Sequence, residues 1–65
     1  MPIVRIDLWK GRTKDQKKKL IKEVANAVVS SIGCPPEAIH TVITEVDKEN
    51  WGIGGEQCSE KHPDK

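Results

Sequence analysis

One backbone nitrogen and two side chains in this chain have the chemistry to move a proton at carbon. Pro2 follows the initiator methionine, and a small residue in that position favours removal of Met1. Proline would then be a chain terminus carrying a secondary amine, a base that no internal proline has. A free α-amino group titrates at about 7.7–8.0, and desolvation or a nearby cation lowers that value, which poises it for general-base work near neutral pH. Arg12 stands just beyond an apolar run. It and Arg5 are the only arginines among the 11 cations, so they alone can make a bidentate guanidinium contact with a carboxylate. Trp51, ahead of a cluster of glycines, offers an apolar wall. A base, a cation to hold an acid or a developing enolate, and a dry pocket are the parts needed to shift a proton beside a carbonyl or carboxylate.

Other chemistries find less support. No serine or cysteine has a base partner at motif spacing, so nucleophilic hydrolysis is not indicated. Cys34, His40, Cys58 and His62 are metal-type ligands, but neither Cys-x2-Cys nor His-x3-His occurs, and we expect no metal. Cys34, between Gly33 and Pro35, reads as a small packing residue, while Cys58 and His62 read as exposed polar sequence in a tail. Trp51-Gly52-Ile53-Gly54-Gly55 lacks the strand-then-helix setting of a phosphate loop and reads as a tight hairpin or a close backbone approach, even across a subunit boundary. The lysines from Lys17 to Lys19 read as a solvated helix face. With 11 cations against 10 acids the net charge is +1, which gives no field for nucleic acid.

The elements that must position the reactive groups follow from hydrophobic period. Pro2 to Trp9 alternates as a strand, with Pro2, Val4, Ile6 and Leu8 on one face and Ile3, Arg5, Asp7 and Trp9 on the other. Lys10-Gly11-Arg12 is a turn. Thr13 and Gln16 match a capping box, so a helix starts at Lys14. Leu20, Ile21, Val24, Ala27, Val28 and Ile32 give it an apolar stripe, and Gly33 with Pro35-Pro36 stops it near Ile32. After a turn at Pro36-Glu37-Ala38, the β-branched run Ile39 to Val46 is a second strand. Strand, helix, strand makes a parallel βαβ unit with a right-handed crossover. Asp47 to Asn50 is a polar loop, and residues 56–65 are expected to be a flexible polar tail.

A chain of 65 residues makes a single domain, residues 1–65, with a marginal core. Two strands do not make a stable sheet alone, and one helix covers only one face, so we expect other copies of the chain to complete it. The N-terminus has no apolar stretch of signal-peptide length and no segment approaches a membrane span, which leads to the expectation of a cytoplasmic protein with free thiols and no membrane partner.

Several short motifs together resemble the small-subunit 4-oxalocrotonate tautomerase family. They are Pro2-Ile3 at the processed start, Gly11-Arg12-Thr13 after the first strand, the helix opening from Gln16-Lys17 to Ile21, Ile43-Thr44-Glu45, and Gly52-Ile53-Gly54-Gly55-Glu56. The similarity runs ungapped from Pro2 to about Ser59. The resemblance implies an α/β (α+β) fold: a βαβ subunit with a C-terminal β-hairpin, built into a hexamer that is a trimer of dimers with active sites at subunit boundaries. It implies a cofactor-independent isomerase of small 2-keto or 2-hydroxy-enol acids and a place in aromatic degradation. Pro2 matches the family's general base and acid, which carries a proton between the 2-hydroxy oxygen and C-5 of an unsaturated dicarboxylate. Arg12 matches the arginine that binds and polarises substrate. Trp51 stands where the family has an aromatic pocket wall, usually phenylalanine. His40 replaces the family's second substrate arginine, and a histidine is shorter and largely neutral at pH 7, so it cannot clamp a second carboxyl in the same way. Arg5 has no counterpart in the family's catalytic set and reads as an ion-pair partner of an acid such as Asp7. Two alternatives remain open at this point: a hydratase or dehalogenase on the same scaffold, where Pro2 must be protonated, and a non-catalytic oligomeric binding protein.

Overall fold

In the computed structural model, which describes residues 1–62, strand β1 spans Ile3–Trp9. Pro2 stays outside it because it has no N–H to give a ladder. Its carbonyl accepts the His40 N–H at 3.0 Å. Helix α1 spans Lys14–Ile32 and opens on the expected capping box: the Thr13 hydroxyl accepts the Gln16 N–H at 3.1 Å, and the Gln16 side chain accepts the Thr13 N–H at 2.9 Å. It closes at Gly33, whose left-handed backbone (φ 74°) lets its N–H reach the Val29 carbonyl.

Strand β2, His40–Val46, runs parallel to β1, with Ile3 opposite His40 and Trp9 opposite Val46. Ile39, expected to begin this strand, instead closes the short helical turn Pro36–Ala38 by donating to the Pro36 carbonyl at 3.1 Å. The alternation along the strands sorts the sheet into two faces. Val4, Ile6, Leu8, Thr41 and Ile43 are half-buried, on the side that α1 covers, whereas Ile3, Arg5, Asp7, His40, Val42 and Thr44 are exposed.

The loop after β2 contains a helical turn, Lys48–Asn50. A hairpin follows: β3, Gly52–Ile53, pairs antiparallel with β4, Glu56–Gln57. Its two-residue connection, Gly54-Gly55, has φ of 63° and 84°, the positive values that a type I′ turn demands and that glycine alone adopts freely. A side-chain carbon added to Gly52 would lie 3.7 Å from the Glu56 carbonyl, an ordinary contact. Within the chain these glycines therefore serve the turn rather than a close approach.

The expected flexible tail is corrected over residues 56–61. Glu56 and Gln57 complete the hairpin, and Cys58–Lys61 form one helical turn, α2. Cys58, expected to be exposed, is fully buried: its N–H extends the hairpin ladder by donating to the Trp51 carbonyl at 2.8 Å, and α2 packs against the Lys48–Asn50 turn. Residues 63–65 of that tail lie outside the described residues. Cys34 and Cys58 are both free.

The subunit lacks a core of its own. Cys58 is the single fully buried hydrophobic among the described residues, while Ile3 is 56% exposed and Val42 45%. The radius of gyration is 14.8 Å, against about 10.7 Å for a compact chain of this length. The accessible surface of 5191 Å² likewise exceeds the roughly 4,200 Å² typical of a monomer of this mass. No helix among the described residues is long and apolar enough to cross a membrane.

Candidate active site

The reactive residues fall into two groups, one at each end of β1. At the amino end, Pro2 borders an open apolar groove of about 400 Å³ between β1 and the last turns of α1. Val4, Val24, Val28 and Ile32 line it, and Ser31 is its polar side chain. The groove exists because the apolar stripe of α1 continues past the edge of the two-stranded sheet. Met1 is 83% exposed, so its removal would disturb no packing and would leave the Pro2 nitrogen at the mouth of this groove. In the chain as it stands that nitrogen is an amide.

His40 is held beside Pro2 by its backbone, through the 3.0 Å bond to the Pro2 carbonyl. Their side chains lie on opposite faces of the sheet. Pro2 shares the helix side with Val4, whereas His40 shares the exposed face with Ile3 and Arg5. Arg5 is two register positions along from the Ile3–His40 pair, which makes it a diagonal neighbour of His40 on the same exposed face. It forms no ion pair among the described residues, with Asp7 or any other acid.

Arg12 lies at the far end of β1, in the connection to α1. Seven residues of strand separate it from Pro2, which is about 23 Å. One copy of the chain thus does not bring Pro2 and Arg12 together. Arg12 is exposed and without an ion pair among the described residues.

Trp51 belongs to the Arg12 end, where it is half-buried. Its ring meets Trp9 edge-on, with centroids 6.1 Å apart and planes at 80°, the arrangement that ring quadrupoles favour. His62 packs on Trp9 at 5.5 Å, and the Lys48 ammonium lies 4.7 Å from the Trp9 centroid while donating to the His62 carbonyl at 2.6 Å. Gln57 donates to the Glu49 carbonyl at 2.7 Å and fixes the hairpin against the preceding turn. Sequence reasoning missed Trp9 as a support of Trp51, because strand alternation assigns it a face and not a partner. A cleft beside this cluster, lined by Lys10, Gly11, Asp47, Lys48, Glu49 and Ser59, carries both signs of charge in equal number. It offers no net attraction to an acid.

Among the described residues no three His, Cys, Asp or Glu side chains are grouped to hold a metal ion. One carboxyl is perturbed. Glu45 is held below its ordinary value, first by the hydrogen bond from the Lys17 ammonium and against the cost of burial, with the Lys17 charge, the Gly11 N–H and the Lys10 charge adding to the effect.

Comparison with known proteins decides what this arrangement belongs to. The family model described as tautomerase enzyme matches residues 2–61. The chain belongs to the tautomerase family. This tautomerase is 42% identical over 59 residues to a 2-hydroxymuconate tautomerase of Pseudomonas sp. strain CF600, covering 91% of this chain and 94% of that one. Its fold superposes on a 4-oxalocrotonate tautomerase isozyme from Methylibium petroleiphilum with a TM-score of 0.89 and 39% identity, covering 94% and 98% of the two chains. A heterohexamer 4-oxalocrotonate tautomerase from Chloroflexus aurantiacus matches with a TM-score of 0.88 and 28% identity, covering 92% and 97%. The tautomerase described here is therefore an isomerase of the 4-oxalocrotonate tautomerase-like kind, with the βαβ-plus-hairpin subunit of that family.

Proposed function

We propose that the enzyme interconverts enol and keto forms of small 2-hydroxy-enol acids, with the Pro2 amine, freed by loss of Met1, as general base and acid. The observation that carries this reading is the position of Pro2: its nitrogen adjoins an exposed Met1 and an apolar groove, in a chain of the tautomerase family. The groove supplies the low-polarity surroundings that favour a neutral amine near pH 7. The amine takes the proton from the 2-hydroxyl of the enol and, as the resulting ammonium, returns it to carbon, so that it ends each turnover as it began. No cofactor is needed for this exchange.

The remaining parts come from another copy of the chain. Arg12 is about 23 Å from Pro2 along the strand, so a complete site draws Arg12 and Trp51 from a neighbour. One edge of β1 is unpaired among the described residues. Two copies meeting head to tail along that edge would bring the Pro2 end of one beside the Arg12 end of the other. Arg12 then holds the substrate carboxylate and the developing enolate, and Trp51 excludes water. The heterohexamer neighbour and the family resemblance support a hexamer, a trimer of dimers, as the assembly.

The test uses protein whose intact mass shows that Met1 is absent, with 2-hydroxymuconate, the compound in the relative's name, as substrate. Replacing Pro2 with Ala exchanges a secondary for a primary amine with a less fixed position. The expected result is a fall in kcat of about tenfold or more, within the range that positioned acid–base catalysis supplies, with the assembly intact. For the wild type, kcat/KM should rise with pH as the amine loses its proton. Equal rates for both proteins across the pH range would remove Pro2 from the mechanism.

A further inference from the structure

The Ile43-Thr44-Glu45 motif contains one residue that breaks the pattern of its strand. Thr41, Ile43 and Glu45 share the side of β2 that faces α1, and Glu45 stands opposite Leu8 in the register. Its side chain stays 29% exposed and meets the Lys17 ammonium of α1. We propose that Glu45 is a positioning residue for Arg12, clamping both flanks of the turn that carries it.

Arg12 needs such a clamp. Its side chain is long, exposed and without an ion pair among the described residues, so its direction is set by the backbone from which it springs. That backbone is a short connection. On the β1 side, the Lys10 N–H donates to the Val46 carbonyl at 3.0 Å, next to Glu45 in the chain. Gly11 follows at φ 127°. On the α1 side, the Thr13 capping box fixes the start of the helix. Glu45 joins the two: it stands on β2 opposite Leu8, beside the residue that accepts the Lys10 N–H, and its Oε1 accepts the Lys17 ammonium at 2.9 Å, one turn into α1.

This pair differs from the other ion pairs of the chain. Lys17 and Glu45 are 30% and 29% exposed, whereas Lys10–Asp47 spans 3.7 Å at 70% and 52% exposure and Lys61–Glu56 spans 3.8 Å at 47% and 65%. Long, exposed pairs contribute little. A short pair with both side chains partly shielded can define a geometry. The depressed pKa keeps Glu45 ionised throughout the neutral range in which the enzyme would work.

The inference rests on the reading of Arg12 as the substrate cation, and the experiment separates the two. Glu45→Gln keeps the side chain's shape while losing the charge that holds Lys17. In the Met1-processed enzyme with 2-hydroxymuconate, it should raise KM and lower kcat/KM by about three- to tenfold, the size expected for coupling within one network. Added to Arg12→Ala, it should have no further effect on kcat/KM, although any loss of thermal stability should be the same in both backgrounds. Lys17→Met removes the same pair from the helix side and should reproduce this pattern, which keeps the test intact if the Glu45 variant fails to assemble. Equal falls in both backgrounds, or no fall when Glu45→Gln is made in the otherwise wild-type enzyme while Arg12→Ala is damaging, would overturn the positioning role alone. If Arg12→Ala leaves kcat and KM unchanged, the reading of Arg12 fails, and the role of Glu45 fails with it.

Discussion

His40 is the residue whose chemistry departs furthest from what the family resemblance implies. It lies on the exposed sheet face, so it can serve a site only where that face meets another copy. There it offers a shorter and weaker anchor than a guanidinium. A lost hydrogen bond to a charged group costs about 1.5–3 kcal/mol, or about ten- to a hundredfold. We therefore expect the wild type to prefer monocarboxylates, and His40→Arg to raise kcat/KM for a diacid by about tenfold relative to a monoacid. An equal change for both acids would show that His40 does not meet the second carboxylate. Arg5, the diagonal neighbour on the same face, is the control. If Arg5→Met selectively damages diacid turnover while His40→Arg adds nothing, the second anchor is Arg5.

At the scale of elements, α1 is defined by its ends more than by its middle. The capping box satisfies backbone donors that nothing else reaches, and removing such a cap costs about 1 kcal/mol. Thr13→Ala should lower the thermal midpoint at fixed protein concentration, and Thr13→Ser should restore most of the loss; identical midpoints for all three would mean that tertiary contacts alone hold the helix start. The tie between α1 and β2 makes a separate prediction in acid. Because Glu45 has a folded pKa below its unfolded value of about 4.3, its contribution is complete above that value and is lost as pH falls through the folded one. Between those two pH values the wild type should lose stability more steeply than Glu45→Gln. Parallel curves of thermal midpoint against pH would show that the pair contributes nothing.

For the whole molecule, the extended shape and missing core are the dominant physical facts. Hydrophobic groups lie on both sides of a sheet that one helix covers on one side only, and Ile3, Val42, Ile53 and Ile32 remain 49–66% exposed apart from Val42 at 45%. We expect a chain in this condition to gain its stability by burying those groups against copies of itself. We expect sedimentation to find the folded protein only as an oligomer at micromolar concentration, with Val42→Glu dissociating and unfolding it together. A folded monomer of 7.3 kDa under those conditions would refute this.

The sequence by itself determined the strand–helix–strand order and the helix limits at Lys14 and Ile32, because each depends on residues only a few positions apart, through period and cap chemistry; it left the Gly52–Gly55 stretch between a hairpin and a close approach, and the structure shows the hairpin. It also pointed to Pro2, Arg12, His40 and Trp51 through type and motif. What only the tertiary structure decided depends on segments remote in sequence meeting in space. Cys58 is buried because α2 packs against the Lys48–Asn50 turn, and Trp9 supports Trp51 because the chain returns past β1. The half-shielded pairing of Glu45 with Lys17 depends on the parallel register of β2. The separation of Pro2 from Arg12, by contrast, follows from strand length: an extended strand is a rigid spacer, so residues that motif reasoning groups as one site stand at its opposite ends.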